Sequence, residues 1–369
     1  MRAYLLMMAI AAAVTFFATH LVRRFAAKRN LHLEIRERDA HKVPTPRLGG
    51  IAMYCGFLIT MLVAWPLGWF SSVFANPGQV IAIVAAVTLI TIVGVLDDLY
   101  DLDWTLKLAA QFLVGGLLAW QGVQIVSLPI SGLTIGSFGI SLISTVFITV
   151  LIMNAVNFID GLDGLVAGVV LIGTLVFFAY TYLLAQQTSP TNYFSLAGLL
   201  SAIVMGMCIG FLPHNWHRAK IFMGDSGAYQ LGLLMAISAL AVTGQVDAGA
   251  VTKDALLPAF IPLLLPLAIL VLPLLDFSLA VFRRLRAGLS PFTADRKHIH
   301  HRLQDLGHSH MGSVLVFYVW TTLISTSFLL VFFYPGWLVS IYFLVGLFAC
   351  LLFTVWPLIA SRTKTAVKK

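Results

Sequence analysis

The sequence predicts an all-α polytopic membrane protein, and three observations carry that reading. Of 369 residues, 60% are hydrophobic and only 10% are charged, whereas a soluble domain carries about 25% charged residues. The apolar residues run in blocks of about twenty, the length a helix needs to cross a hydrocarbon core of about 30 Å. The blocks are solidly apolar, without the alternation that the strands of a transmembrane barrel require. These features exclude a soluble globular enzyme, a disordered chain and a secreted disulfide scaffold.

Eleven apolar segments follow one another, at 4–22, 50–69, 79–96, 105–121, 140–157, 164–184, 194–212, 227–243, 256–279, 312–333 and 337–359. The first has no small-residue cleavage site after it, and its cationic cluster (Arg23, Arg24, Lys28, Arg29) follows the run. It therefore reads as a retained span with its N-terminus outside. Residues 124–139 hold apolar residues around Ser131-Gly132 and have the makings of a small external β-hairpin. Segment nine carries Pro258, Pro262, Pro266 and Pro273. Each removes a backbone donor and crowds the preceding turn, so a broken or sharply bent ninth helix is expected. Cys55, Cys208 and Cys350 lie far apart inside apolar runs and read as packing residues. Neither repeats nor low-complexity tracts interrupt the chain, so residues 1–369 are expected to form one domain.

Charge fixes the expected orientation. If the N-terminus lies outside, 21 of the 23 Lys and Arg fall on one side, and only Arg2 and Lys253 fall on the other. Such a split marks the rich side and the C-terminal tail as cytoplasmic. The net charge of +8 is thus a topology signal, not a nucleic-acid one. The expected cytoplasmic segments are 23–49, 97–104, 158–163, 213–226 and 280–311.

The acidic residues gather on the same side, and carboxylates near the membrane are functional candidates by default. Asp97-Asp98 closes span three, with Asp101 and Asp103 after it. Adjacent carboxylates at a helix end repel unless a cation or a proton intervenes, while Asp101 or Asp103 can simply cap the next helix. Asn154-x-x-Asn157-x-x-Asp160-Gly-x-Asp163-Gly follows span five, with a spacing of three that places Asn154, Asn157 and Asp160 on one helical face. A calcium loop is a poor match, because the closing bidentate Glu is missing. Phe222-Met223-Gly224-Asp225-Ser226-Gly227 enters span eight. Alone, Asp225 would pass for an N-cap; beside the other carboxylates it reads as a metal ligand, suited to Mg²⁺. The loop from Arg283, Arg284 and Arg286 to His298, His300 and His301 adds cations. With neither a nearby cysteine nor a zincin pattern it is a poor zinc site, and positive-inside anchoring accounts for part of Arg283. Arginines and imidazoles facing carboxylates and a metal are what a phosphate-bearing substrate requires. His20, alone near the end of span one, reads as an interfacial residue.

A metal, a base and cations at a membrane surface suit phosphoryl transfer. The chain lacks a Walker loop and a dinucleotide fingerprint, and its eleven spans point to a lipid phosphate as one substrate. A transporter would need ionisable residues near the midplane in paired halves; only Asp276 in span nine comes near that.

These motifs resemble the polyprenyl-phosphate N-acetylhexosamine-1-phosphate transferases, which move a sugar phosphate from a UDP-sugar to a lipid phosphate and release UMP. The resemblance covers nearly the whole chain: His41 to Gly50, Asp97-Asp98, Asn154 to Gly164, Asn215, Phe222 to Asp225, and His298 to His301. It implies Asp225 as the ligand of Mg²⁺ (Mn²⁺ as a substitute) and Asp97 and Asp98 in the phosphate chemistry. Asn154, Asn157, Asp160 and Asp163 would line the nucleotide pocket with Asn215, and Phe222 would stack on uracil. Lys42, Arg284, His298, His300 and His301 would contact the sugar and diphosphate. A homodimer in the bacterial cytoplasmic membrane, active on its cytoplasmic face, is implied as well. The peptidoglycan branch, which transfers phospho-MurNAc-pentapeptide, usually has a Lys three residues after the Asp pair and a contiguous histidine triplet. Here Asp101 and His-Ile-His-His stand instead, so the chain looks like the GlcNAc-1-phosphate branch, with UDP-GlcNAc and a polyprenyl phosphate as substrates.

Overall fold

A computed structural model describes residues 1–29, 45–125, 137–188, 194–243, 264, 271–288 and 299–366. They form helices α1 (Arg2–Lys28), α2 (Gly49–Ala64), α3 (Pro77–Tyr100), α4 (Trp104–Trp120), α5 (Phe138–Phe158), α6 (Leu165–Thr188), α7 (Leu196–Asn215) and α8 (Gly224–Thr243). α9 (Val271–Arg286), α10 (Ile299–Asp305), α11 (His310–Leu330) and α12 (Gly336–Ala366) follow. Among the described residues, 8 helices are long and apolar enough to cross a membrane, and α2 and α4 are shorter apolar helices. The chain is therefore an all-α, multi-span bundle.

Local chemistry sets the ends of these helices. Asn76, Asp103, Ser195 and Ser309 each accept a backbone N–H in the first turn of α3, α4, α7 and α11, a cap commonly worth about 1 kcal/mol. Asp103 is thus the cap foreseen for the fourth helix, whereas Asp101 closes α3 in the left-handed region at φ 55°. The second apolar segment ends as a helix at Ala64, followed by a short 3-10 turn at Gly68–Phe70. Pro66 and Gly68 intervene there, and they break a helix where hydropathy alone continues it.

α8 is the central post, buried almost throughout and packed by α2, α3, α5 and α7. α1 lies in the groove of α2 and α7, α6 covers α7, and α11 and α12 are added outside α6. At Gly94 on α3, a Cβ would strike the backbone of Ser226, so glycine is what lets α3 meet the start of α8. A buried hydrogen bond from Gln230 Nε2 to Thr91 Oγ1 (2.7 Å) ties the two helices deeper down. At the opposite end, Tyr4 accepts the Ser195 N–H at 2.8 Å and packs among Phe70, Phe178 and Phe194.

Most of segment nine, the centre of the external hairpin, Lys42 and His298 lie outside the described residues, as do the side chains of Asp276, His300 and His301.

Candidate functional site

The start of α8 is built by two other segments. Gly49 and Gly50 donate their N–H groups to the Phe222 and Met223 carbonyls (both 3.0 Å), and Phe222 N–H donates to the Pro46 carbonyl (2.9 Å). This short ladder delivers the chain to Gly224, whose φ of +72° is open to glycine. A Cβ there would also strike the Arg47 carbonyl and the Asp98 carboxylate. Asp98 then caps α8 from outside. It accepts the N–H of Asp225 (2.8 Å) and of Ser226 (3.2 Å) and the Ser226 hydroxyl (2.7 Å). Capping is therefore done by Asp98, which leaves the Asp225 side chain for something else.

That side chain meets polar partners from α5 and α4. Asn157 Nδ2 donates to Asp225 Oδ1 at 2.9 Å, and Lys107 Nζ stands 3.6 Å from Asp225 Oδ2. Lys107 also donates to Asp97 Oδ2 at 3.0 Å, while Asp97 Oδ1 accepts the Leu102 N–H at 2.8 Å. Lys107 therefore stands between the Asp97 and Asp225 carboxyl groups and links the two. One turn beyond Lys107, Gln111 accepts from Asn154 Nδ2 at 2.6 Å. Asn154 thus braces α5 against α4, and Asn157, one turn on, reaches Asp225.

Asp160 departs from the expected helical face. α5 ends at Phe158, so Asp160 sits in the turn, half-buried in a crowded corner. Burial first, then the charges of Asp225 and Asp163, push its carboxyl up to about 7 against the pull of Arg47. Asp163 lies farther along the turn. Its Oδ2 takes His217 Nδ1 and the Ala219 N–H, both at 3.1 Å. The Asp163 N–H donates to His310 Nε2 at 3.1 Å, and the His217 and His310 rings stack at 4.6 Å. These three residues offer ligand atoms within 4.8 Å of one another and form a candidate divalent metal site. Asn215 is buried with both ends of its amide engaged, accepting from Gly164 N–H (2.9 Å) and donating to the Ile221 carbonyl (3.0 Å). Phe222 is half-buried beside the ladder, and Arg284 is buried on α9, which packs against α5 and α11.

The structure therefore gathers Asp97, Asp98, Asn157, Asp160 and Asp225 at one end of the bundle. It adds residues that sequence reasoning missed: Lys107, Gln111, Ser226, Arg47, His217 and His310. Lys107 and Gln111 carry a readable signal, a charged and an amide side chain four residues apart in an otherwise apolar helix. The two histidines carry none, since 93 residues separate them.

Residues 80–243 match the family described as Glycosyl transferase family 4. The chain is 38% identical to the decaprenyl-phosphate N-acetylglucosaminephosphotransferase of Mycobacterium leprae, over 85% of this chain and 80% of that protein. It is 39% identical to the protein of the same name from Mycolicibacterium smegmatis, over 88% and 82%. It is 29% identical to the undecaprenyl-phosphate alpha-N-acetylglucosaminyl 1-phosphate transferase of Escherichia coli K12, over 90% and 85%.

Proposed function

The chain belongs to the polyprenyl-phosphate N-acetylglucosamine-1-phosphate transferases, and on that premise we propose how its residues divide the work. The enzyme transfers GlcNAc-1-phosphate from UDP-GlcNAc to a polyprenyl phosphate and releases UMP. An oxygen of the lipid phosphate attacks the β-phosphorus, a new P–O bond forms, and the bond from that phosphorus to the oxygen bridging the two phosphates breaks. That bridging oxygen leaves with UMP.

The observation that carries the reading is the set Asp97, Lys107, Asn157 and Asp225, four side chains from α3, α4, α5 and α8 that meet in one polar cluster. Four carboxyl groups, Asp97, Asp98, Asp160 and Asp225, gather against two cations, Lys107 and Arg47, and the donors they offer are hard oxygens. Such a set fits Mg²⁺, with Mn²⁺ as a substitute, whereas the two imidazoles at Asp163 suit a borderline ion better. Asp225, with Asp97 beside it, would hold Mg²⁺, which neutralises charge on the transferring phosphate oxygens. Asp97 takes the last proton from the monoanionic fraction of the lipid phosphate, and Lys107 keeps its carboxylate oriented. Asp98 holds Asp225 in place through the backbone. Asn154, Asn157, Asp160, Asp163, Asn215 and Phe222 form or brace the nucleotide side, and Lys42, Arg284, His298, His300 and His301 receive the diphosphate and sugar. The segments 23–49, 97–104, 158–163, 213–226 and 280–311 then form the cytoplasmic face of a single domain, in a homodimer of the bacterial inner membrane, with the N-terminus outside and a broken ninth helix.

Purified protein incubated with polyprenyl phosphate, Mg²⁺ and a panel of UDP-sugars should release UMP with UDP-GlcNAc. Preferential turnover of UDP-MurNAc-pentapeptide would move the protein to the peptidoglycan branch.

A further inference from the structure

α11 is an outer helix, yet two of its side chains grip the turn between α5 and α6. His310, in its first turn, accepts the Asp163 N–H on Nε2 at 3.1 Å. Tyr318, farther along the same helix, donates its hydroxyl to the Gly164 carbonyl at 2.5 Å. Its ring packs so closely on α6 that a Cβ at Gly168 would strike it. The chain that follows α7 holds the same turn from another side. Asn215 accepts the Gly164 N–H at 2.9 Å, and the buried Asp163 Oδ2 takes His217 Nδ1 and the Ala219 N–H. Gly164, at φ +75°, supplies the backbone shape that these bonds hold. Asp160, on the same turn, feels the charges of both Asp163 and Asp225, so the gripped turn borders the reacting set.

The two histidines use different nitrogens. A ring nitrogen that accepts an N–H carries no proton, so His310 holds its proton on Nδ1. A carboxylate oxygen accepts, so His217 donates from Nδ1 to Asp163. The rings stack at 4.6 Å, which locks both orientations. A divalent ion at these three residues would have to take Nε2 of His310 away from the Asp163 N–H. We propose that His217, His310 and Tyr318 are positioning residues for the nucleotide: they fix the Asp163-Gly164 turn in its receiving shape, through hydrogen bonds and without a metal. This rests on the reading above that puts Asp163 on the nucleotide side. Groups that orient a substrate are effective when their own geometry is held by a supporting layer of bonds, and α11 supplies that layer from outside the reacting set.

Calorimetric titration of the full-length protein in detergent with UMP and Mg²⁺, beside the KM of each substrate, tests this. His217→Leu and His310→Leu should each weaken UMP about tenfold, the scale of one lost hydrogen bond to a charged or buried group. The KM for UDP-GlcNAc should rise with it, while that for polyprenyl phosphate holds. Asparagine puts an amide nitrogen near the place of Nδ1, and glutamine puts an amide oxygen near that of Nε2. His217→Asn should therefore restore most of the affinity and His217→Gln should not; for His310 the order reverses. His217 is 37% exposed, so its variants remain informative if those on α11 fold poorly. Rescue of position 217 by glutamine instead would mean that its Nε2 meets the ligand directly, and would overturn the positioning role. Equal rises in both KM values would reduce the contacts to scaffolding and overturn it too. So would loss in all the asparagine and glutamine variants with a stoichiometric transition ion in the parent. Asp163→Ala separates the two readings. Unchanged UMP binding there would remove Asp163 from the nucleotide side, whereas weakened binding there with none in the leucine variants would overturn the clamp alone.

Discussion

Asp98 accepts the backbone N–H of Asp225 at 2.8 Å across 127 residues of sequence. The neighbouring carboxylates of α3 therefore have different duties, since Asp97 spends its oxygens on Lys107 and the Leu102 N–H. Asp98→Asn should lower the melting temperature by the equivalent of about 1–2 kcal/mol, the scale of a lost helix cap, and activity with it. Asp97→Asn should lose activity while melting close to the parent. Thermal denaturation in detergent beside UMP release separates the two; identical melting curves for both variants would refute the division.

Lys107 is the cation between Asp97 and Asp225. Lys107→Met should reduce kcat by about a hundredfold, a usual size for losing one preorganised charge. With its positive charge gone, the carboxylates should attract a divalent cation more strongly, so half-maximal activity should need less Mg²⁺. A higher Mg²⁺ requirement would show that Lys107 supports the metal instead of competing with it.

Gly224 combines a φ of +72° with contacts that exclude any side chain. Gly224→Ala should lose folded yield and activity together, whereas Gly116→Ala, where a Cβ meets open space, should behave as the parent. Size-exclusion profiles after extraction report the difference.

Asp160 keeps its proton in the folded protein at pH values where the unfolded chain has lost it, because its carboxyl is pushed up to about 7. Its contribution to stability is complete below about pH 4, declines between about 4 and 7, and is gone above. The slope is at most about 1.4 kcal/mol per pH unit. Asp160→Asn lacks that slope. In chelator, its melting temperature minus that of the parent should rise between pH 4 and 7 and level off beyond; parallel curves would count against the buried proton.

Direct attack by the lipid makes UMP release strictly dependent on lipid phosphate. A stoichiometric burst without lipid would reveal a covalent enzyme intermediate. The second phosphate pKa is about 6, so Asp97→Asn should lose less activity as the pH rises above it, whereas a nucleophile variant stays inactive throughout.

The membrane class and most helices were legible because long apolar runs have few other fates. The carboxylates were legible because charge is costly there. Tertiary pairings were not. Nothing near Asp98 in sequence says that it caps α8, and a spacing of three placed Asp160 on a helix that stops two residues earlier. That α4 turns Lys107 toward Asp97 is likewise a tertiary fact. His217 and His310 meet only because α11 packs beside α6.

α8 is buried almost throughout, yet its first turn carries Asp225 into the candidate site. α12, by contrast, has only 11% of its most apolar stretch buried. The protein thus has a stiff axle and a soft tyre. Changes on the outer helix alter how the molecule rides in its bilayer, while a shift of the axle by a fraction of an ångström moves Asp225 itself. Thinner or thicker membranes should therefore tilt the rim and leave the hub in register.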